Sequence, residues 1–151
     1  MARDQGMRPT RVAFIGSRGF RDVEAVKKAI RSLAPGAVVV TGAWWEEESD
    51  GQRSLVPTRG VDRIAAEEAE AAGLTVVLVA GSKTMYGNMA GVERNPIILD
   101  LCDKAFIFWD GESRGTARGM KLARDMGVPH TITVQLRGSD QSSTNTFVHK
   151  K

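Results

Sequence analysis

Between Asp110 and Gly119 the chain reads Asp-Gly-Glu-Ser-Arg-Gly-Thr-Ala-Arg-Gly, residue types suited to holding an anion. The segment follows an apolar run, Lys104-Ala-Phe-Ile-Phe-Trp109, and opens a helix expected over about 115–126. The first N–H groups of a helix lack internal partners, and its dipole favours negative charge there. Ser113 and Thr116 add hydroxyls, Arg114 adds a forked donor suited to phosphate, and Gly115 leaves room for close backbone approach. These residues read as the phosphate end of a nucleotide pocket.

Three further groups could share that pocket. In Gly16-Ser-Arg-Gly-Phe20, Gly16 lets the chain turn beside a ligand, Ser17 and Arg18 offer donors, and Phe20 could floor a base. A plain strand-to-helix turn with a solvated Arg18 explains the same residues. Asp22 already caps the following helix, so phosphate fits the fourth helix better than the first. Around Thr41-Gly42 and Gly60-Val-Asp-Arg63, Gly42 and Gly60 open the backbone. Asp62 either accepts from ribose hydroxyls, holds Arg18 in place, or is simply a favourable acid in a first helical turn. In the stretch 85–95, Tyr86 can stack on a base, Arg94 can pair with phosphate or carboxylate, and Asn95 can cap a helix or read a polar edge. His130 and His149 lie far apart, outside metal-ligand spacing. No zinc site, Ser/His/Asp order or Walker loop is expected, no catalytic residue stands out, and no cofactor is required beyond a nucleotide-like ligand. Glu46-Glu-Glu48 reads as a solvated charge run.

The elements that must position these groups alternate. Apolar runs at 11–16, 37–42, 74–80, 104–109 and 129–135 predict strands. Helices are expected from Asp22 to Pro35, from Gly60 to Gly73, after an Asn95 cap with Pro96 in the first turn, and over 115–126. Continuously apolar strands between helices predict an α/β fold: a three-layer domain with a parallel sheet of about five strands covered on both faces. Each chemistry-bearing segment falls at a strand's carboxyl end, where such sheets bind ligands. Residues 1–10 and 136–151 are expected to be flexible, residues 11–135 to form the domain, and 43–59 to be an irregular insert holding Trp44 and Trp45.

At 151 residues the chain suits one domain. Its 42% hydrophobic and 26% charged content are ordinary for a folded protein. A net charge of +3 fits an anionic small ligand, and the absence of a dense Lys/Arg stripe argues against nucleic acid as a partner. The single Cys102 excludes an intrachain disulfide and fits a reducing cytoplasm. No apolar run is long enough for a membrane span, and no signal peptide is recognisable.

Taken in order, GSRGF, TG…GVDRIA, YGNMAGVERN and FWDGESRGT resemble the SLOG superfamily of Rossmann-like nucleotide binders, most closely its YspA-like branch. The resemblance runs from residue 11 to about 135. It implies a pocket for nucleotides or ADP-ribose-like ligands, with contacts from Gly16, Ser17, Arg18, Asp62, Arg94, Asn95 and the loop Ser113 to Thr116. Relatives of this fold include phosphoribohydrolases, molybdenum-cofactor carriers, the DNA-uptake protein DprA and ligand sensors, and they commonly pair through helices, so a homo-oligomer is expected. There are two departures. The insert 43–59 stands where the family turn is short, and could be a lid that stacks on a base or an oligomer contact. Gly119 occupies the place where phosphoribohydrolases carry a Glu.

The leading expectation is a sensor, carrier or sponge of a nucleotide signal, with Arg18 and Arg94 as clamps. The alternative is a nucleotide hydrolase that uses Asp62, Glu93 or Glu112 as its acid. A DprA-like single-strand DNA binder ranks third.

Overall fold

The computed structural model describes residues 8–81 and 90–148, with side chains described from Arg94 onward in the second span. Among these are seven strands and four helices. They are β1 (Arg11–Gly16), α1 (Val23–Arg31), β2 (Val38–Glu47), β3 (Arg53–Pro57), α2 (Val61–Ala71), β4 (Thr75–Ala80), α3 (Ala90–Leu101), β5 (Lys104–Trp109), α4 (Arg114–Asp125), β6 (His130–Gln135) and β7 (Ser142–Phe147).

The five expected strands form the parallel part of the sheet. β4 pairs with β2, β2 with β1, β1 with β5, and β5 with β6. The chain thus runs outward in one direction from β1 and then restarts at β5 on its other side. That reversal is the switch point at which doubly wound sheets open a crevice.

Side-chain alternation along the strands divides the core into two layers. Val12 and Phe14 of β1 join Val39, Phe108 and the inner faces of α1 and α2. Ala13 and Ile15 join Val40, Ile107 and the inner faces of α3 and α4. Each fully buried Val, Ile or Phe contributes about 1.5–3 kcal/mol, so burial on both faces holds the sheet between its helices.

Several expectations need correction. The sheet has seven strands and is mixed, because two antiparallel strands join the parallel five. The insert 43–59 is no irregular loop. It continues β2 outward and returns as β3, with Trp44 opposite Val56 and Trp45 opposite Leu55. Glu48 and Gln52 close the turn, with Gly51 at φ +85° and the Asp50 carboxylate accepting the Gln52 N–H. The Asp-Gly pair at this turn is a hairpin signal.

The tail also contains a strand. β7 pairs with β6, and hydroxyls meet across the pair at Thr131–Thr146 and Thr133–Thr144. Its Ser and Thr residues read as disordered by composition, yet an edge strand with one open face needs few apolar side chains. Finally, α3 starts at Ala90 and contains Pro96, so Asn95 lies inside a helix rather than capping one.

Candidate functional site

A cavity of about 500 Å³ opens at the carboxyl ends of β1 and β5. That volume is within the range of small-molecule sites. Gly16, Ser17, Arg18, Gly42, Asp62, Arg94, Asn95, Ser113, Arg114, Gly115 and Thr116 all line it. Sequence positions from 16 to 116 meet here because β1, β2 and β5 are neighbours whose carboxyl ends point the same way.

The anion end is built at the start of α4. Ser113 is the N-cap, and its hydroxyl accepts the Thr116 N–H at 3.3 Å. Asp110 Oδ1 takes the N–H groups of Glu112 and Ser113 at 2.9 and 2.8 Å. In the first turn of α4 the N–H groups of Arg114 and Gly115 have no partner within the helix. A Cβ on Gly115 would meet nothing within 4 Å, so the backbone there is open. Arg114 is exposed beside it.

Ser17 and Thr116 play a different part from the one expected. Ser17 is buried, and its hydroxyl donates to Thr116 Oγ1 at 3.0 Å while accepting the Asp110 N–H at 3.2 Å. The two hydroxyls therefore tie the β1 loop to the α4 loop and hold the anion end in shape. Asn95 adds a third tie, donating from Nδ2 to the Gly115 carbonyl at 3.3 Å.

Opposite lies a buried ion pair. Asp62 is 5% exposed, with Oδ2 3.7 Å from Arg94 Nη2. Arg94 Nη1 also donates to the Ala43 carbonyl at 3.0 Å. Gly42 makes room for the pair, since a Cβ there would stand 2.5 Å from Arg94 Nε and 2.8 Å from Asp62 Oδ2. Burial pushes the Asp62 carboxyl up to about 7, against the opposing pull of Arg94. Burial likewise lowers the Arg94 guanidinium from its ordinary value, while Asp62 supports its charge. Among the described residues, Asp62 Oδ1, Arg94 Nε and Thr58 Oγ1 are buried and make no well-formed hydrogen bond, although the Thr41 and Thr58 hydroxyls lie close enough to the Asp62 carboxylate to favour its charged form. Incompletely satisfied buried polar groups are costly, and these three belong to residues that line the one cavity. Sequence reading missed Thr58 and Asp110, although Asp110-Gly before a Ser N-cap is a turn signal.

Other expected contacts fall elsewhere. Phe20 does not floor a base: it is 4% exposed and packs edge-on against Phe108 at 5.4 Å. Its apolar ring is more stable in the layer under α1 than in an open pocket. Gly16 serves packing, because a Cβ there would meet Val61 at 2.5 Å. Gly60 sits at φ +90° with Arg18 Cα 2.5 Å from where its Cβ would be, so the start of α2 presses on the β1 loop. Tyr86 lies outside the described residues, as does the side chain of Glu93. Among the described residues no group of three His, Cys, Asp or Glu side chains could hold a metal ion. No helix among them is long and apolar enough to cross a membrane.

The fold and site together define a Rossmann-like α/β domain with a polar pocket at the switch point. No protein-family model matches the chain, and no curated protein matches it. Among solved structures, the chain is similar to DNA processing protein A from Helicobacter pylori, described for its single-stranded DNA binding mode. The TM-score is 0.58 at 20% identity, covering 89% of this chain and 69% of that one. This likeness is one of fold. It overturns the expectation that nucleic acid is an unlikely partner for a domain of this kind, because that protein, on the same fold, is described as binding single-stranded DNA. Arg18 and Arg59 converge on Trp44, and Arg53 lies over Trp45, from positions scattered in sequence.

Proposed function

We propose that this chain binds a phosphorylated nucleoside, of nucleotide or ADP-ribose type, and serves as a sensor, carrier or sponge for it. The observation that carries this reading is the pairing of two ends in one cavity. The free N–H groups of Arg114 and Gly115 suit a phosphate, and the orphaned polar atoms of Asp62, Arg94 and Thr58 suit hydroxyls or a polar edge. The SLOG resemblance, with its YspA-like motifs, supports the same ligand class, and no other cofactor is invoked. A second reading places single-stranded DNA across the same pocket, and the fold shared with the Helicobacter pylori protein favours it.

The test is calorimetry with AMP, ADP, NAD and ADP-ribose, followed by mass spectrometry of each mixture. One of them is expected to bind and be recovered intact. Arg114→Ala should weaken that binding about ten- to a hundredfold, the loss of a charge-assisted hydrogen bond, without lowering the melting temperature. Unchanged affinity in a folded Arg114→Ala variant would sink the phosphate assignment. Release of a base or phosphate would instead make the chain a hydrolase, with Asp62, near neutrality at about 7, as the group suited to proton transfer.

A further inference from the structure

The β2–β3 hairpin rises from the pocket wall, since Gly42 and Thr58 at its two feet both line the cavity. Ala43 is paired with Ala80 of β4 on one flank and with Pro57 of β3 on the other. β3 therefore lies on the β1 side of β2, past Phe14, where β1 and β2 cease to pair. The Thr58 N–H, donating to the Gly42 carbonyl at 3.1 Å, anchors its end to the pocket wall. Alternation along β2 puts Trp44 on the same face as Gly42, which lines the cavity, and about 7 Å farther out.

Two guanidiniums share that indole. Arg18 Cζ lies 5.2 Å from the Trp44 ring centroid and Arg59 Cζ 5.5 Å. Both arginines are exposed, and among the described residues neither has a carboxylate in salt-bridge contact. The carboxylate at this ring is Glu46, which accepts the Trp44 Nε1–H at 3.1 Å. Like charges gathered on an aromatic ring, with Asp62 acting on Arg18 only from beyond salt-bridge distance, are complementary to a polyanion whose units carry flat bases. Arg18 also lines the pocket, so one side chain joins the two places.

We infer that Arg18, Trp44 and Arg59 form a second, stacking subsite at the pocket mouth, and that its occupant is the next nucleotide of a single strand. This rests on the reading of the inner pocket as a nucleotide site. Arg18 would meet the linking phosphate, Trp44 the outer base and Arg59 the phosphate beyond. A mononucleotide would fill the inner pocket alone.

The experiment compares deoxyadenosine 5′-monophosphate with oligodeoxyadenylate about eight nucleotides long, within the range one such binding surface covers. Binding is read by fluorescence quenching and calorimetry on the full chain. The oligonucleotide is expected to bind at least about tenfold tighter. Trp44→Ala should remove about tenfold of its affinity and leave the mononucleotide within about twofold, while Trp44→Phe restores most of the loss. Arg59→Ala, at an exposed position, should weaken the oligonucleotide alone and flatten its salt dependence.

Oligonucleotide affinity unchanged in both Trp44→Ala and Arg59→Ala overturns the subsite and leaves the inner pocket standing. Altered sedimentation of Trp44→Ala with unchanged affinity also overturns it, and makes the hairpin a contact between copies. An oligonucleotide that binds through Trp44 while deoxyadenosine 5′-monophosphate does not bind refutes the inner pocket, and overturns the placing of Trp44 beside an occupied inner site while leaving it a single-strand contact. Failure of both ligands to bind overturns both.

Discussion

Replacing Asp62 by Asn should stabilise this protein at alkaline pH, although it removes one partner of a buried ion pair. The folded-state carboxyl titrates at about 7 because burial outweighs the attraction of Arg94 at 3.7 Å, against an ordinary value of 3.8. Between those values the folded chain holds a proton that the unfolded chain has lost. Stability is therefore full below about pH 4 and falls as the pH rises through 7, by roughly 4 kcal/mol in total. Asn resembles the protonated acid in shape and charge and does not titrate. Denaturant unfolding should give the two proteins stabilities within about 1 kcal/mol of each other near pH 4. By about pH 8 the Asn variant should lead by up to about 4 kcal/mol, and its stability should lack the wild-type decline through neutrality. The opposite result at pH 8, a loss of about 3–5 kcal/mol, is what breaking a well-formed buried ion pair does. It would show that Asp62 is ionised and satisfied by Arg94, and would refute the reasoning.

Three further outcomes follow from the same geometry. Phe20→Ala should cost about 3–5 kcal/mol in urea unfolding, as a core truncation does, while the folded fraction keeps its nucleotide affinity. Gly60→Ala should destabilise by more than about 1 kcal/mol, because φ is +90° and the new Cβ would stand 2.5 Å from Arg18 Cα; an unchanged melting temperature would contradict that contact. Burial pushes the Cys102 thiol up to about 12, so iodoacetamide at pH 8 should leave the native protein unlabelled and label it in denaturant.

The parallel core was legible because apolar strands and amphipathic helices have different periods, and each strand is closed by turn residues. The positions of Ser113 to Thr116 and of Asp62 were legible for a related reason: in such sheets every strand delivers its following loop to the same edge. The hairpin and β7 were not, because polar edge strands lack the apolar alternation that marks a half-buried one. Composition alone reads Ser142-Ser-Thr-Asn-Thr-Phe147 as loose chain.

By itself, then, the sequence determined the layers, the sheet edge at which the pocket opens, and the residue types gathered there. Tertiary structure alone decided how those residues are used. Ser17 and Thr116 bond to each other across the pocket floor rather than pointing free. Phe20 turns into the core, and Gly42 exists for the Asp62–Arg94 pair. Arg18 and Arg59 meet on Trp44 although no stripe joins them in sequence. The physical reason is distance. Local propensity and periodicity act over a few residues, whereas the burial that raises Asp62, the room around Gly42 and the clustering of guanidiniums arise between elements that only strand pairing brings together.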